Sequence, residues 1–350
     1  MISNENEHQL LKEIREQPSA IAKTLADEDN EIEHAAKMLP RRVRFLGMGS
    51  SYYASLYAKY LLEEFVHTDV RVDLASEFLH YPPHVRRGEA FVAISQSGES
   101  VETVKAVRFL RKKHASVTGI TNRPESSLAA LGHMVLLTHA GEEQASATKT
   151  FTSTLALLHR LALSAGVRRG FVSRARFSML STELIECAQS MGGEMSEWER
   201  SIKRLVTRLR EYRSITVLGR GYNLASALQG ALLLKEVAKL HAEGMSAGEF
   251  MHGPMEIASQ ELLVVVLTGG RTSPLMRGLV GKLKRYGTDV LTIGPESVSS
   301  TKAICFRERE QTLVPIPSIV CLDLLTYFLA LKRRLNPDKF RHISKVTLAE

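Results

Sequence analysis

Hydroxyl-bearing residues crowd two short stretches of this chain, and each stretch follows an apolar run. ISQSGES (Ile94–Ser100) comes directly after AFVA (Ala90–Ala93), and GMGSSYY (Gly47–Tyr53) comes after Phe45 and Leu46. Serines this dense, beside glycines that let backbone amides converge, suit an anion as well as they suit a polar turn. In an open parallel sheet, ligands sit at the carboxyl ends of strands, where loops diverge. Both loops are expected at such ends. Ser50, Ser51, Ser95, Ser97 and Ser100 can then converge, with the N-terminal amides of the following helices aimed at the same place. No lysine follows in the Walker pattern, and Gly47-x-Gly49 lacks the third glycine of the dinucleotide fingerprint. A neutral hydroxyl cradle fits a sugar monophosphate better than a polyphosphate with magnesium.

A second group of chemistry-bearing residues lies in LLKEVAKLHAEGMSAGEFMHGP (Leu233–Pro254): Glu236, His241, Glu243, Glu249 and His252. The spacing excludes an HExxH zinc site. Glu243 and Glu249 read as capping or surface carboxylates, and His252, before Gly253-Pro254, reads equally as a turn residue or a proton carrier. Glu236 is expected mid-helix in an apolar segment, where burial would raise its pKa.

The elements that must position these residues follow from an internal repeat. FLGMGSSYYASLYAKYLLEEF (Phe45–Phe65) aligns with VLGRGYNLASALQGALLLKEV (Val217–Val237), and each copy reads as strand, Gly-x-Gly turn and long helix. A second apolar strand follows each copy, AFVAIS in the first and ELLVVVLTGG (Glu261–Gly270) in the second. Further strands are expected at Val117–Thr121, Met134–Thr138, Asp289–Gly294 and Thr312–Ile316. Strands alternating with helices predict two α/β units, each a parallel-sheet three-layer sandwich with helices on both faces. The expected divisions are an N-terminal helical segment at 1–38, broken near Pro18, and a first domain at 39–166 that carries the phosphate-binding loops. A helical connector at 167–211 and a second domain at 212–335 follow, and a tail at 336–350 begins where Asn336 and Pro337 stop the last helix. In the second copy TGGRT (Thr268–Thr272) stands where the first has SQSGE.

Composition is that of a soluble globular protein: 350 residues, 44% hydrophobic and 24% charged. No apolar run approaches the roughly 20 residues of a membrane helix, and the polar, acidic N-terminus is unlike a signal peptide. A cytoplasmic location is expected. Cys187, Cys305 and Cys321 form neither a disulfide framework nor a zinc pattern and are expected as small core residues. The net charge of +8 comes partly from basic clusters at Arg41–Arg44, Arg111–His114 and Arg168–Arg176. With no helix-turn-helix pattern and no aromatic platform beside them, these read as solvated faces rather than a nucleic-acid site.

Taken in order, KEIREQPSAI (Lys12–Ile21), GSSYYA, ASEF (Ala75–Phe78), ISQSGES, ATKTF (Ala147–Phe151), LLKE, HAEGMSAGEFMHGP and NPDKFRHISKVTLAE (Asn336–Glu350) run almost end to end along the chain. In these motifs it resembles the double sugar isomerase (SIS) domain proteins, in particular the isomerase half of glucosamine-6-phosphate synthase and stand-alone deaminase relatives. The resemblance implies that Ser51, Ser95, Gln96, Ser97 and Ser100 bind a sugar 6-phosphate. It assigns Glu236 to moving a proton between C1 and C2, and His252, from the neighbouring subunit of a homodimer with shared active sites, to ring opening. Lys345, in the tail, approaches the sugar carbonyl. Ser50, Ala147 and Ser344 are candidate sugar contacts. Ser100 stands where threonine is usual, Ala147 replaces a serine and Phe340 replaces a proline, and these changes bear on the sugar hydroxyl contacts.

No cofactor, metal, nucleic acid or membrane partner is implied. Because the chain begins MISNENE and has no cysteine before Cys187, the synthase's glutaminase chemistry is not expected. The leading expectation is a deaminase that converts glucosamine 6-phosphate and water to fructose 6-phosphate and ammonia. The alternatives are an aldose–ketose phosphosugar isomerase, a fructosamine-6-phosphate deglycase, or a non-catalytic sugar-phosphate-sensing module.

Overall fold

The structure, a computed structural model, describes residues 7–86, 89–295 and 302–345. The chain forms two compact units. One comprises Ser19–Glu143, Lys149–Ile185 and the tail from His342; the other comprises the N-terminal residues to Pro18, Gln144–Thr148 and Glu186–Arg341.

The first unit begins within α1 (Gln9–Asp27) and α2 (Asp29–Met38), and then alternates strand and helix. Its elements are β1 (Arg42–Gly47), α3 (Ser50–Val66), β2 (Asp69–Leu74), α4 (Ala75–His80), β3 (Ala90–Ile94), α5 (Val101–Lys112), β4 (Ser116–Thr121), α6 (Ser127–Leu131), β5 (Met134–Leu137) and α7 (Lys149–Arg168). The sheet is parallel throughout, in the order β2-β1-β3-β4-β5. Its central strands are buried nearly end to end, as sheets covered on both faces require. One core layer packs Leu46, Phe91 and Val117 of the sheet against Phe78, Val107, Leu110 and Leu128.

The second unit takes in α8 (Arg174–Arg208), a helix of 35 residues, from Glu186 onward. It then runs through β6 (Ser214–Gly219), α9 (Asn223–Glu236), β7 (Ala242–Ser246), α10 (Ala247–Phe250), β8 (Leu262–Leu267), α11 (Ser273–Arg285), β9 (Asp289–Gly294), β10 (Lys302–Cys305) and α12 (Pro315–Lys332). The order β10-β9-β8-β6-β7, again parallel, repeats the first sheet's topology strand for strand. Leu218, Val264 and Val266 pack with Phe250, Met276, Leu279 and Leu283 on one face. The two Gly-x-Gly turns agree in detail. Gly49 and Gly221 have φ of 50° and 53°, and a Cβ on Gly47 or Gly219 would strike the backbone of the following helix at 2.9 or 2.3 Å. Glycine at both sites lets strand and helix meet closely.

Several local expectations are corrected. Thr312–Ile316 is not a strand: Pro315 and Pro317 open α12, where proline's fixed φ and missing N–H are tolerated. The edge strand is β10 instead. α1 runs through Pro18 unbroken, because Leu10, Leu11 and Ile14 before it and Ala20 and Ile21 after it are all buried. The last helix ends at Lys332, four residues before Asn336, with Arg334 in the left-handed region at φ 58°. Glu236 is the final residue of α9 rather than a mid-helix one. Cys305 is exposed, whereas Cys187 and Cys321 are buried. Arg44, expected on a solvated face, is buried and held by Asp73 at 2.9 Å and Glu89 at 3.3 Å. By length and composition α12 could cross a membrane, but 89% of it is buried, as befits a core helix.

Candidate active site

In the first unit β1 and β3 are neighbours, and the chain leaves them for opposite sides of the sheet, β1 toward β2 and β3 toward β4. That divergence is the crevice where ligands settle in such sheets. The loop after β3 is tightly built. Ser95 Oγ accepts the Gly98 N–H at 3.1 Å and lies 3.1 Å from Ser100 Oγ. Ser97 Oγ accepts the Glu99 N–H at 3.2 Å, which leaves its own proton to donate. Gly98 has φ +67°, and a Cβ there would lie 2.1 Å from Ser126 Oγ. The carbonyl of Gln96 accepts the Asn122 N–H at 3.0 Å and the Thr121 hydroxyl at 3.2 Å, fixing the loop against β4. The Glu99 carboxylate accepts the Ser127 N–H at 2.7 Å, and that bond, with the Ser127 side chain, lowers its pKa from the ordinary value. Ser50 and Ser51 open α3 at the adjoining end of β1, half-buried.

Tail residues of the same unit include Ser344, exposed, and Lys345, whose Nζ donates to Glu143 Oε2 at 2.8 Å. Val346 and Thr347 lie outside the described residues. Glu143 was not singled out from the sequence, since the lysine that it meets is 202 residues away.

In the second unit, α9 runs antiparallel to β6 and delivers Glu236 to the amino ends of β6 and β7, where the Ile215 N–H donates to His241 O at 3.0 Å. Glu236 is half-buried. Beside it Lys239, in the left-handed region at φ 53°, donates to the carbonyl of Glu236 and to that of Lys339 at 3.0 Å. Its ammonium lies 5.9 Å over the Phe340 ring, and burial, then Arg341, lowers its pKa although Glu236 opposes this. Lys239 was not singled out from the sequence, although it stands three residues after Glu236. His252, exposed, follows β7 and α10 at the other end of the sheet, ahead of Gly253 at φ 126°. Ala147 groups with this unit, and its carbonyl accepts the Gln229 side chain at 3.0 Å.

The structure therefore brings Ser95, Ser97 and Ser100 together and sets Ser50 and Ser51 on the adjoining strand. Within the second unit it keeps Glu236 and His252 apart. The first unit thus gathers serine hydroxyls on one loop, and the second sets Lys239 three residues after Glu236.

Comparison with known proteins gives this geometry its relatives. A domain model described as the SIS domain matches residues 40–164 and again 208–332. The chain is 34% identical over 354 aligned residues to the glutamine-fructose-6-phosphate aminotransferase (isomerizing) of Pyrococcus horikoshii, an alignment covering 98% of this chain and 58% of that protein. The corresponding enzyme of Gloeobacter violaceus is 33% identical, with 98% and 59% covered. The chain thus spans a little under three fifths of the length of these relatives. In fold it is similar to the C-terminal domain of glucosamine-fructose-6-phosphate aminotransferase from Francisella tularensis, with a TM-score of 0.88 at 24% identity over 95% of this chain and 98% of that one. It is also similar to the glucosamine-6-phosphate deaminase of Thermotoga maritima, with a TM-score of 0.78 at 23% identity over 97% and 99%. Two matched domains, built on two parallel five-stranded sheets of one topology, make this chain a member of the SIS domain family.

Proposed function

We propose that this chain acts on a sugar 6-phosphate, and that its reaction is the conversion of glucosamine 6-phosphate and water to fructose 6-phosphate and ammonia. The observation that carries the substrate class is the Ser95–Ser100 loop at the switch point of the first sheet: Ser95 and Ser97 Oγ each accept a backbone N–H, which leaves the Ser97 proton to give to a phosphate. Relatives named for fructose 6-phosphate, aligned along nearly the whole chain, support the same class. Ser51, Gln96 and Ser100 complete the phosphate contacts in this reading, with Ser50, Ala147 and Ser344 as candidate sugar contacts.

Deamination needs an opened ring, a base for a carbon-bound proton, and charge stabilisation at an enediol-like intermediate. Glu236 serves as the base that moves the proton between C2 and C1. His252 assists ring opening, and Lys345 faces the sugar carbonyl. The placement of Glu236 and His252 at opposite ends of one sheet favours a homodimer in which each site takes His252 from the second copy.

Glucosamine 6-phosphate incubated with the protein, without glutamine, metal or nucleotide, tests the reading. Equimolar ammonia and fructose 6-phosphate support it. Interconversion of fructose and glucose 6-phosphates without ammonia would instead make the chain an aldose–ketose isomerase. Ammonia-free binding without turnover would make it a sensing module.

A further inference from the structure

We propose that Glu143 is a positioning residue that sets the ammonium of Lys345 for its reaction, an inference that rests on the role of Lys345 in the proposed function. The Glu143 side chain is fully buried, whereas Lys345 keeps 23% of its side-chain surface. A lone buried carboxylate is costly, and the donors that meet this one include Thr150 and Lys345. The Thr150 N–H donates at 3.1 Å, the Thr150 hydroxyl at 2.7 Å and Lys345 Nζ at 2.8 Å.

Thr150 is the second residue of α7, so Glu143 accepts one of the N–H groups a helix leaves unpaired at its start. The positive end of the α7 dipole favours the carboxylate there. One oxygen, Oε1, is occupied by the Thr150 amide, while Oε2 takes both the hydroxyl and the ammonium. The helix start thus holds the carboxylate independently of the lysine. Lysine carries a long flexible stem and three rotatable donors. One donor spent on Glu143 fixes where the nitrogen sits. A tail of irregular backbone gains a defined end point in the same way.

Misplacing a reacting group by about 1 Å costs on the order of 100-fold in rate, so the pair is expected to appear in kcat rather than KM. Glu143→Gln keeps the volume and an acceptor for Thr150. It is expected to lower kcat for ammonia release from glucosamine 6-phosphate by roughly 10- to 100-fold with KM within threefold. In a Lys345→Met background the same change should alter the residual kcat by less than about twofold, because the group it positions is gone. Hydrogen–deuterium exchange of the backbone around 342–345 supplies a readout independent of activity and should quicken in both single variants alike. Equal losses of kcat in the two backgrounds, or unchanged tail exchange in Glu143→Gln, would overturn the proposal. Full activity in Lys345→Met would instead refute the role given to Lys345 itself.

Discussion

Glu236 and His252 stand at opposite ends of the second sheet. α9 carries Glu236 roughly 20 Å back from the turn after β6, at 1.5 Å per residue over 14 residues, while the chain climbs β7 again before reaching His252. One second unit does not unite them. The proposed site uses both, so in that proposal one comes from another copy and a two-fold dimer would hold two such sites. Mixing Glu236→Gln chains with His252→Ala chains should regenerate about a quarter of wild-type activity from two inactive parents, since half the dimers are mixed and each has one intact site. Activity in the mixture no greater than the sum of the parents would contradict the arrangement.

Gly98 tests the anion cradle. Its φ of +67° and the 2.1 Å approach to Ser126 Oγ leave no room for a side chain. Gly98→Ala should cost more than about 1 kcal/mol through backbone strain alone and should abolish saturable binding of fructose 6-phosphate in a calorimetric titration. Ser97→Ala, which removes only a hydroxyl, should raise KM more than it lowers kcat.

Arg44 makes a prediction about stability rather than activity. Its buried guanidinium is paired with Asp73 and Glu89, and Arg44→Met would leave two carboxylates facing each other. Breaking a buried pair from one side costs about 3 kcal/mol or more, which a shifted urea midpoint would record. Adding Glu89→Gln should recover part of that loss.

Much of the architecture could be read before any coordinates. The aligned Gly-x-Gly turns announced the duplicated topology because both positions need glycine for a steric reason that acts within a few residues. The loop hydroxyls were legible for the same reason: Ser95, Ser97 and Ser100 bond within their own loop. What escaped depended on distant partners. β2, β7 and β10 are short or half-exposed edge strands, defined by their pairing more than by their own pattern. Pro18 reads locally as a helix breaker, yet burial on both sides overrides it. Lys345 carries no local signal of being held, since Glu143 lies 202 residues away.

His159 predicts a pH dependence. It is fully buried edge-on to Phe65 at 6.3 Å, and burial, with Arg160 nearby, pushes its pKa down to about 3. A histidine depressed in the folded state binds its proton more readily when unfolded, so its contribution to stability is complete above about pH 6.5 and is lost as pH falls from there toward 3. The loss from this one group should approach about 1.4 kcal/mol per pH unit within that window. Urea unfolding at pH 7, 6 and 5 should show it, and His159→Met should flatten that part of the slope.

The proposed deamination rests on Glu236 acting as the base on a bound sugar phosphate. The most direct test is kcat for ammonia release from glucosamine 6-phosphate by Glu236→Gln, with substrate affinity measured on the same preparation. General acid–base catalysis is worth roughly 100- to 10,000-fold, so kcat should fall at least 100-fold while the affinity stays within about threefold. A Glu236→Gln protein that releases ammonia at the wild-type rate would contradict that role of Glu236.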